Sequence, residues 1–255
     1  MSDNKRKKER TKKEQLRLKK ALLTILVLVL FALGLNGKQI KTVVGALSGA
    51  SRPIYASSIE DIPEYNDHAY VIINDNEPDF TEDDITSESF EEYAPLDMLG
   101  RCGTAFANIG QDIMPKEERG SIGHVKPSGW QTVKYAGVVE GNYLYNRCHL
   151  IGFQLAGENA NERNLITGTR YLNIDGMVEF ENKVADYVKE TGNHVLYRVT
   201  PIFKGTELVA RGVEMEALSV EDNGEGIKFH VYCYNVQPGI DIDYKDGTSR
   251  LSKGE

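Results

Sequence analysis

The chain has 255 residues, 40% of them hydrophobic and 27% charged, ordinary values for a globular domain long enough to bury its own core. Its three cysteines (Cys102, Cys148 and Cys233) include no C-x-x-C pair, which argues against a disulfide scaffold or a structural zinc site. The formal charge of −8 conceals an asymmetry: residues 1–20 carry ten Lys/Arg against Asp3, Glu9 and Glu14, so that segment is +7 and the remainder −15.

The basic segment is followed by Ala21-Leu-Leu-Thr-Ile-Leu-Val-Leu-Val-Leu-Phe-Ala-Leu-Gly-Leu35, and no charge appears before Lys38. A basic stretch ahead of an apolar run is the layout of a secretory signal or signal anchor. The uncharged run of residues 21–37 is at the short end of the ~17–25 residues that span a bilayer. No A-x-A-like site closes it directly, so an uncleaved transmembrane anchor is expected, with secretion as the outcome if cleavage occurs. The positive-inside rule then puts residues 1–20 in the cytoplasm and the rest outside the cell, as a single-pass membrane protein. Residues 38–66, rich in Gly, Ser, Pro and acidic side chains without sustained periodicity, read as a linker.

The outer domain is expected over 67–246. His68–Asn74 is β-rich and bounded by turn-prone residues, so it reads as a strand. The acidic stretch 79–92 reads as a loop or solvated helix surface. In Ala94–Ile109, apolar residues at 96, 98, 99, 102, 105, 106 and 109 follow helical spacing and predict a helix with Cys102 facing the core. Residues 114–134 are irregular, broken by Gly and Pro. Residues 144–153 predict a strand, 161–173 a loop dense in Asn and Arg, and 177–188 an amphipathic helix. His194–Phe203, Val209–Val220 and Ile227–Val236 predict antiparallel strands separated by glycine turns. In the last, Lys228, His230, Tyr232 and Tyr234 share one face and Phe229, Val231 and Cys233 the other. The fold class is α+β, an antiparallel sheet with packed helices, followed by a flexible tail at 247–255.

Chemistry concentrates in Leu144-Tyr-Asn-Arg-Cys-His-Leu-Ile-Gly-Phe153 and Asn161-Glu-Arg-Asn-Leu-Ile-Thr-Gly-Thr-Arg-Tyr-Leu-Asn173. Hydrolysis of a phosphodiester requires a base for water and neutralisation of charge on the phosphoryl oxygens. One neutral His can supply the first and one hydrated hard cation much of the second. Mg²⁺ keeps several waters, so even a single neutral Asn oxygen can hold it. Arg147 and His149 are two apart and share a strand face with Cys148 opposite, which argues against Cys148 as a nucleophile served by His149. Asn173 falls where the next helix should start, with Glu181 eight residues on. Upstream, Arg119, Lys126 and Trp130 could clamp a phosphate chain and stack a base.

These residues carry a resemblance. Asn146-Arg-Cys-His149 followed by Leu-Ile-Gly, Asn164-Leu-Ile-Thr-Gly-Thr169, and Asn173 with Glu181 resemble the DNA/RNA non-specific endonucleases of the ββα-metal (His-Me finger) class. The likeness is greatest to the membrane-anchored DNA-entry nucleases of Gram-positive bacteria and extends loosely from Met98 to Tyr244. It implies a ββα-metal core, His149 as general base, and Arg147 and Arg119 as catalytic arginines, Arg119 by position alone. It implies further that Asn173 is the direct ligand of Mg²⁺ (Mn²⁺ as an alternative), that Glu181 holds a metal-bound water, and that Asn164 and Asn146 stand in the second shell. The class often reads D-R-G-H, so Asn146 and Cys148 depart from it. Lys126, Trp130, Arg163 and Arg170 are the expected contacts to DNA or RNA. A membrane-tethered nuclease would also meet DNA-uptake machinery or an inhibitor protein.

Two other classes fit the composition. A non-catalytic DNA-binding module of an uptake apparatus would show salt-sensitive, EDTA-indifferent binding and leave its substrate intact. An acidic surface adhesion or scaffold domain would neither bind nor cleave, and would leave the Asn and Arg around His149 without a purpose.

Overall fold

The computed structural model describes residues 53–253. The basic segment, the apolar run 21–37 and most of the expected linker lie outside them. Among the described residues no helix is long and apolar enough to cross a membrane.

The strands, in chain order, are β1 (Tyr55–Ala56), β2 (Tyr70–Ile73), β3 (Phe90–Tyr93), β4 (Ala105–Ile109), β5 (Tyr145–His149), β6 (Leu165–Thr169), β7 (Val195–Ile202), β8 (Gly212–Ser219), β9 (Lys228–Tyr234), β10 (Ile240–Ile242) and β11 (Ser249–Leu251). Seven form one sheet in the order β1-β2-β9-β8-β7-β4-β3. All its pairings are antiparallel except the short one between β1 and β2. The expected α+β class, with β7, β8 and β9 as consecutive antiparallel neighbours, is what the chain forms.

Period two in β9 sorts its side chains as read from the sequence. Phe229, Val231 and Cys233 join the main core, while Tyr232 and Tyr234 belong to a cluster on the other face. Against the first face lies helix α2 (Val178–Thr191), whose Phe180, Val184, Ala185 and Val188 are buried beside Tyr197, Val199, Met215 and Ala217. Gly192, at φ 75°, ends that helix in the left-handed conformation glycine allows. Helix α1 (Phe153–Ala156) is a single turn packed on α2.

Five expectations change. Residues 94–109 are not a helix. Asp97–Gly100 closes a turn, with Gly100 N–H donating to the Asp97 carbonyl at 2.9 Å and Gly100 at φ 72°. Ala105–Ile109 then pairs with both β3 and β7. The apolar spacing satisfied both periods, and the left-handed glycine excludes the helix; Cys102 is buried all the same. The linker ends sooner than expected, because Ile54, Ile59, Ile62 and Tyr65 pack onto Val71, Ile73, Tyr232 and Tyr234. The loop 161–173 contains β6, which pairs antiparallel with β5. The tail 247–255 contains β11, bonded to β10. Within the acidic stretch, a 3-10 turn at Glu82–Asp84 and the strand β3 stand where a loop or solvated helix surface was expected. The three cysteines are buried and free.

Candidate active site

The two-stranded ribbon β5–β6 stands apart from the large sheet, and the chain leaves it directly into the helical segment that carries Asn173. That segment begins as a six-residue π-helical turn, Leu172–Met177, entered with Leu172 N–H donating to Thr169 Oγ1 at 2.9 Å. Wide turns of this kind recur at functional sites because they offset one side chain from the regular helical face. Strand, strand and helix thus form the ββα unit that the resemblance implied.

A groove of about 880 Å³ runs along this unit. It is lined by Arg119, Trp130, Asn146, Arg147, His149, Arg170, Asn173 and Glu181, eight of the eleven side chains picked from the sequence. Asn164 lies beneath it, fully buried, with its amide bridging the Ile151 backbone: Oδ1 accepts from Ile151 N–H at 2.8 Å and Nδ2 donates to the carbonyl at 3.0 Å. It fixes the chain just after His149. Asn164→Ala should therefore cost about 2–3 kcal/mol, since two buried backbone groups lose their partners; urea unfolding would measure it. Lys126 and Arg163 are not in the groove. Lys126 lines a separate small cavity with His124 and Glu162, and Arg163 is exposed on a 3-10 turn.

His149 is 6% exposed, with both ring nitrogens engaged. Nε2 is 2.8 Å from the Asn159 carbonyl oxygen. A carbonyl can only accept, so Nε2 carries the proton and Nδ1 keeps its lone pair. Arg119 Nη2 approaches that lone pair at 3.3 Å. Burial and then the Arg119 charge lower the imidazole pKa, against the opposing bond to Asn159, so the ring is held neutral.

Glu181 is almost fully buried at the groove wall, and burial pushes its pKa up to about 7 despite the opposing charge of Arg119. The chain makes room for it at Gly152, where a Cβ would come within 2.9 Å of the carboxyl group. Asn173 Oδ1 accepts a bond from the Cys148 thiol at 3.2 Å. That thiol is enclosed, and burial raises its pKa. It is a donor to Asn173, not a nucleophile. A Cβ at Gly168 would lie 2.6 Å from that of Cys148, so glycine at 168 is what lets the larger residue fit.

Arg147 lines the groove with most of its guanidinium bonded to the protein. Its Nε donates to the Val125 carbonyl at 2.5 Å, its Nη2 to that of Gly123 at 2.7 Å, and its guanidinium lies 4.0 Å from the centre of the Trp130 ring. It clamps the irregular 119–130 segment, which delivers Arg119 to His149. Sequence reading also missed the hydrophobic and aromatic lining, among it Ile122, Tyr143 and Phe153, and the Asn159 carbonyl, because neither groove walls nor backbone acceptors leave a residue-type signal.

The sequence pattern of DNA/RNA non-specific endonucleases matches residues 81–221, more than half of the chain. The chain belongs to that family. A deoxyribonuclease of Streptococcus dysgalactiae subsp. equisimilis is 32% identical over 111 residues, 42% of this chain and 33% of that protein, so the match spans a third of that relative's length. The NucA structure from Streptococcus agalactiae with magnesium bound superposes with a TM-score of 0.66 at 25% identity, covering 76% of this chain and 92% of NucA. The Sda1 nuclease with bound zinc gives 0.54 at 31% identity, covering 64% and 81%. Family membership is the reading that fits a neutral His, an amide oxygen and a desolvated carboxylate on one groove.

The donors fit a divalent cation. Glu181 is a carboxyl group shielded from water, with the Arg119 charge and a Gln154 hydrogen bond opposing the effect of its burial. An amide oxygen and a carboxylate are hard donors of the kind Mg²⁺ prefers.

Proposed function

We propose that the chain is a divalent-metal-dependent endonuclease that hydrolyses phosphodiester bonds of DNA and RNA, Mg²⁺ being the natural ion and Mn²⁺ a substitute. The observation that carries this reading is the protonation state of His149: Nε2–H is fixed on a carbonyl, which leaves a neutral Nδ1 beside an arginine at the groove wall. Asn173 and Glu181 would hold the metal, which when bound supplies Lewis acidity to the phosphoryl and leaving oxygens. His149 Nδ1 takes the proton of the attacking water. Arg119 sets a positive charge against the phosphate. Arg147 keeps Arg119 in place through the 123–125 carbonyls, and Asn164 keeps His149 in place through Ile151.

The test is degradation of plasmid DNA and of RNA by the full chain with Mg²⁺, and its arrest by EDTA. Binding without any cleavage would favour the non-catalytic module instead. The neutral state of His149 also predicts a pH profile. A base works only unprotonated, so activity should fall as pH drops through the His149 pKa. Because that pKa is lowered from 6.5, the acid limb of kcat/KM at saturating metal should lie below pH 6.5. A limb above that value would contradict a base kept neutral by burial.

The location belongs to the same reading. Residues 21–37 would anchor the chain in the membrane, with the nuclease domain outside the cell. DNA uptake or degradation of extracellular nucleic acid would be its role, and uptake machinery or an inhibitor its protein partners. Protease treatment of intact cells, removing the domain but sparing residues 1–20, would check the topology.

A further inference from the structure

Among the described residues, two side chains on the groove wall hold donors that nothing in the protein satisfies. Asn146 Nδ2 and Arg170 Nε are enclosed, and neither has a hydrogen-bond partner. Both residues line the groove with Asn173. They also share one face of the β5–β6 ribbon: Asn146 pairs with Gly168, and Arg170, two residues on, bonds through its N–H to the Leu144 carbonyl. Such diagonal cross-strand neighbours lie about 7–8 Å apart at Cα, within reach of an arginine. Buried donors without acceptors are rare and call for an explanation. Both are donors, and a phosphate oxygen in the groove would satisfy each of them. Arg170 forms no ion pair with any described carboxylate, although the chain is acidic.

We infer that Asn146 and Arg170 form a second phosphate subsite, which takes a phosphodiester neighbouring the one cleaved. Asparagine at 146 is what keeps the subsite open. An aspartate there would present a carboxylate on the same ribbon face as Arg170 and close the pair as an internal ion bridge. The amide offers a second donor instead, so guanidinium and amide converge on the substrate. The inference rests on the nuclease reading and adds to it a reason for the Asn146 departure.

The experiment measures binding of short oligonucleotides to the full chain in EDTA, where cleavage is arrested, over a range of salt. Asn146→Asp should weaken binding about tenfold and flatten the dependence of log Kd on log salt by roughly one phosphate contact, about 0.7–0.9. Arg170→Gln should do the same, and the double variant should add little to either. A substrate-side control avoids any question of folding: one neutral methylphosphonate is scanned through the oligonucleotide. At a single position beside the cleaved linkage it should cost the wild-type chain affinity and cost Asn146→Asp nothing. An unchanged salt slope in Asn146→Asp, additive losses in the double variant, or no sensitive methylphosphonate position overturns the subsite while leaving a cleaving wild-type enzyme intact. A wild-type chain that neither binds nor cleaves overturns both readings.

Discussion

His149→Ala should lower kcat for plasmid or oligonucleotide cleavage by 10²–10⁴-fold, the usual contribution of a positioned general base, with little change in nucleic-acid affinity. The two effects separate because the imidazole contributes no charge to binding: it is neutral, its Nε2–H is committed to Asn159 and its Nδ1 faces Arg119. Affinity should even be steady across pH 6.5–8 in the variant. Steady-state cleavage together with fluorescence anisotropy in EDTA reads both quantities. Cleavage at the wild-type rate would remove His149 from the mechanism. A parallel loss of binding would mean that the substitution had released the 119–130 segment, which a falling unfolding midpoint would reveal.

Asn173→Ala should act through the metal. Its Oδ1 is the hard donor in the π-helical turn, facing the groove that Glu181 shares. Its removal should raise the Mg²⁺ concentration needed for half-maximal activity by about 10²-fold, the upper range for disturbed metal sites. Activity at very high Mg²⁺ should return in part, since His149 and Arg119 are untouched. A Mg²⁺ titration of initial rates checks this; an unshifted midpoint would place the cation elsewhere. Cys148→Ser tests the supporting bond to the same oxygen and should shift the midpoint far less.

How much of this was legible beforehand depended on where the information lay. The site was readable because its chemistry is local: base, amide and carboxylate fall within His149–Glu181, and strand alternation put Arg147 and His149 on one face. The second ribbon strand was not, because all five residues of Leu165–Thr169 are buried and give no alternation to count. The 94–109 segment misled because its apolar spacing fits two periods and the deciding fact is the φ of one glycine. Residues 54–66 have no period at all, yet five hydrophobic residues of the segment pack onto the outer face of the sheet. Arg147 lines the groove, but its partners are carbonyls of positions 123 and 125, and a backbone carbonyl looks the same in every sequence.

The commitment of Arg147 to those carbonyls bears on how such an enzyme travels along its substrate. Of the three groove arginines, one is occupied by the protein, so Arg119 and Arg170 are left to grip a polyanion in an otherwise acidic chain. Two contacts make a shallow electrostatic trap. If the chain is the nuclease proposed above, it should act distributively, releasing both fragments after each cut, so that a time course on long DNA shows all molecules shortening together and not a few being consumed one at a time.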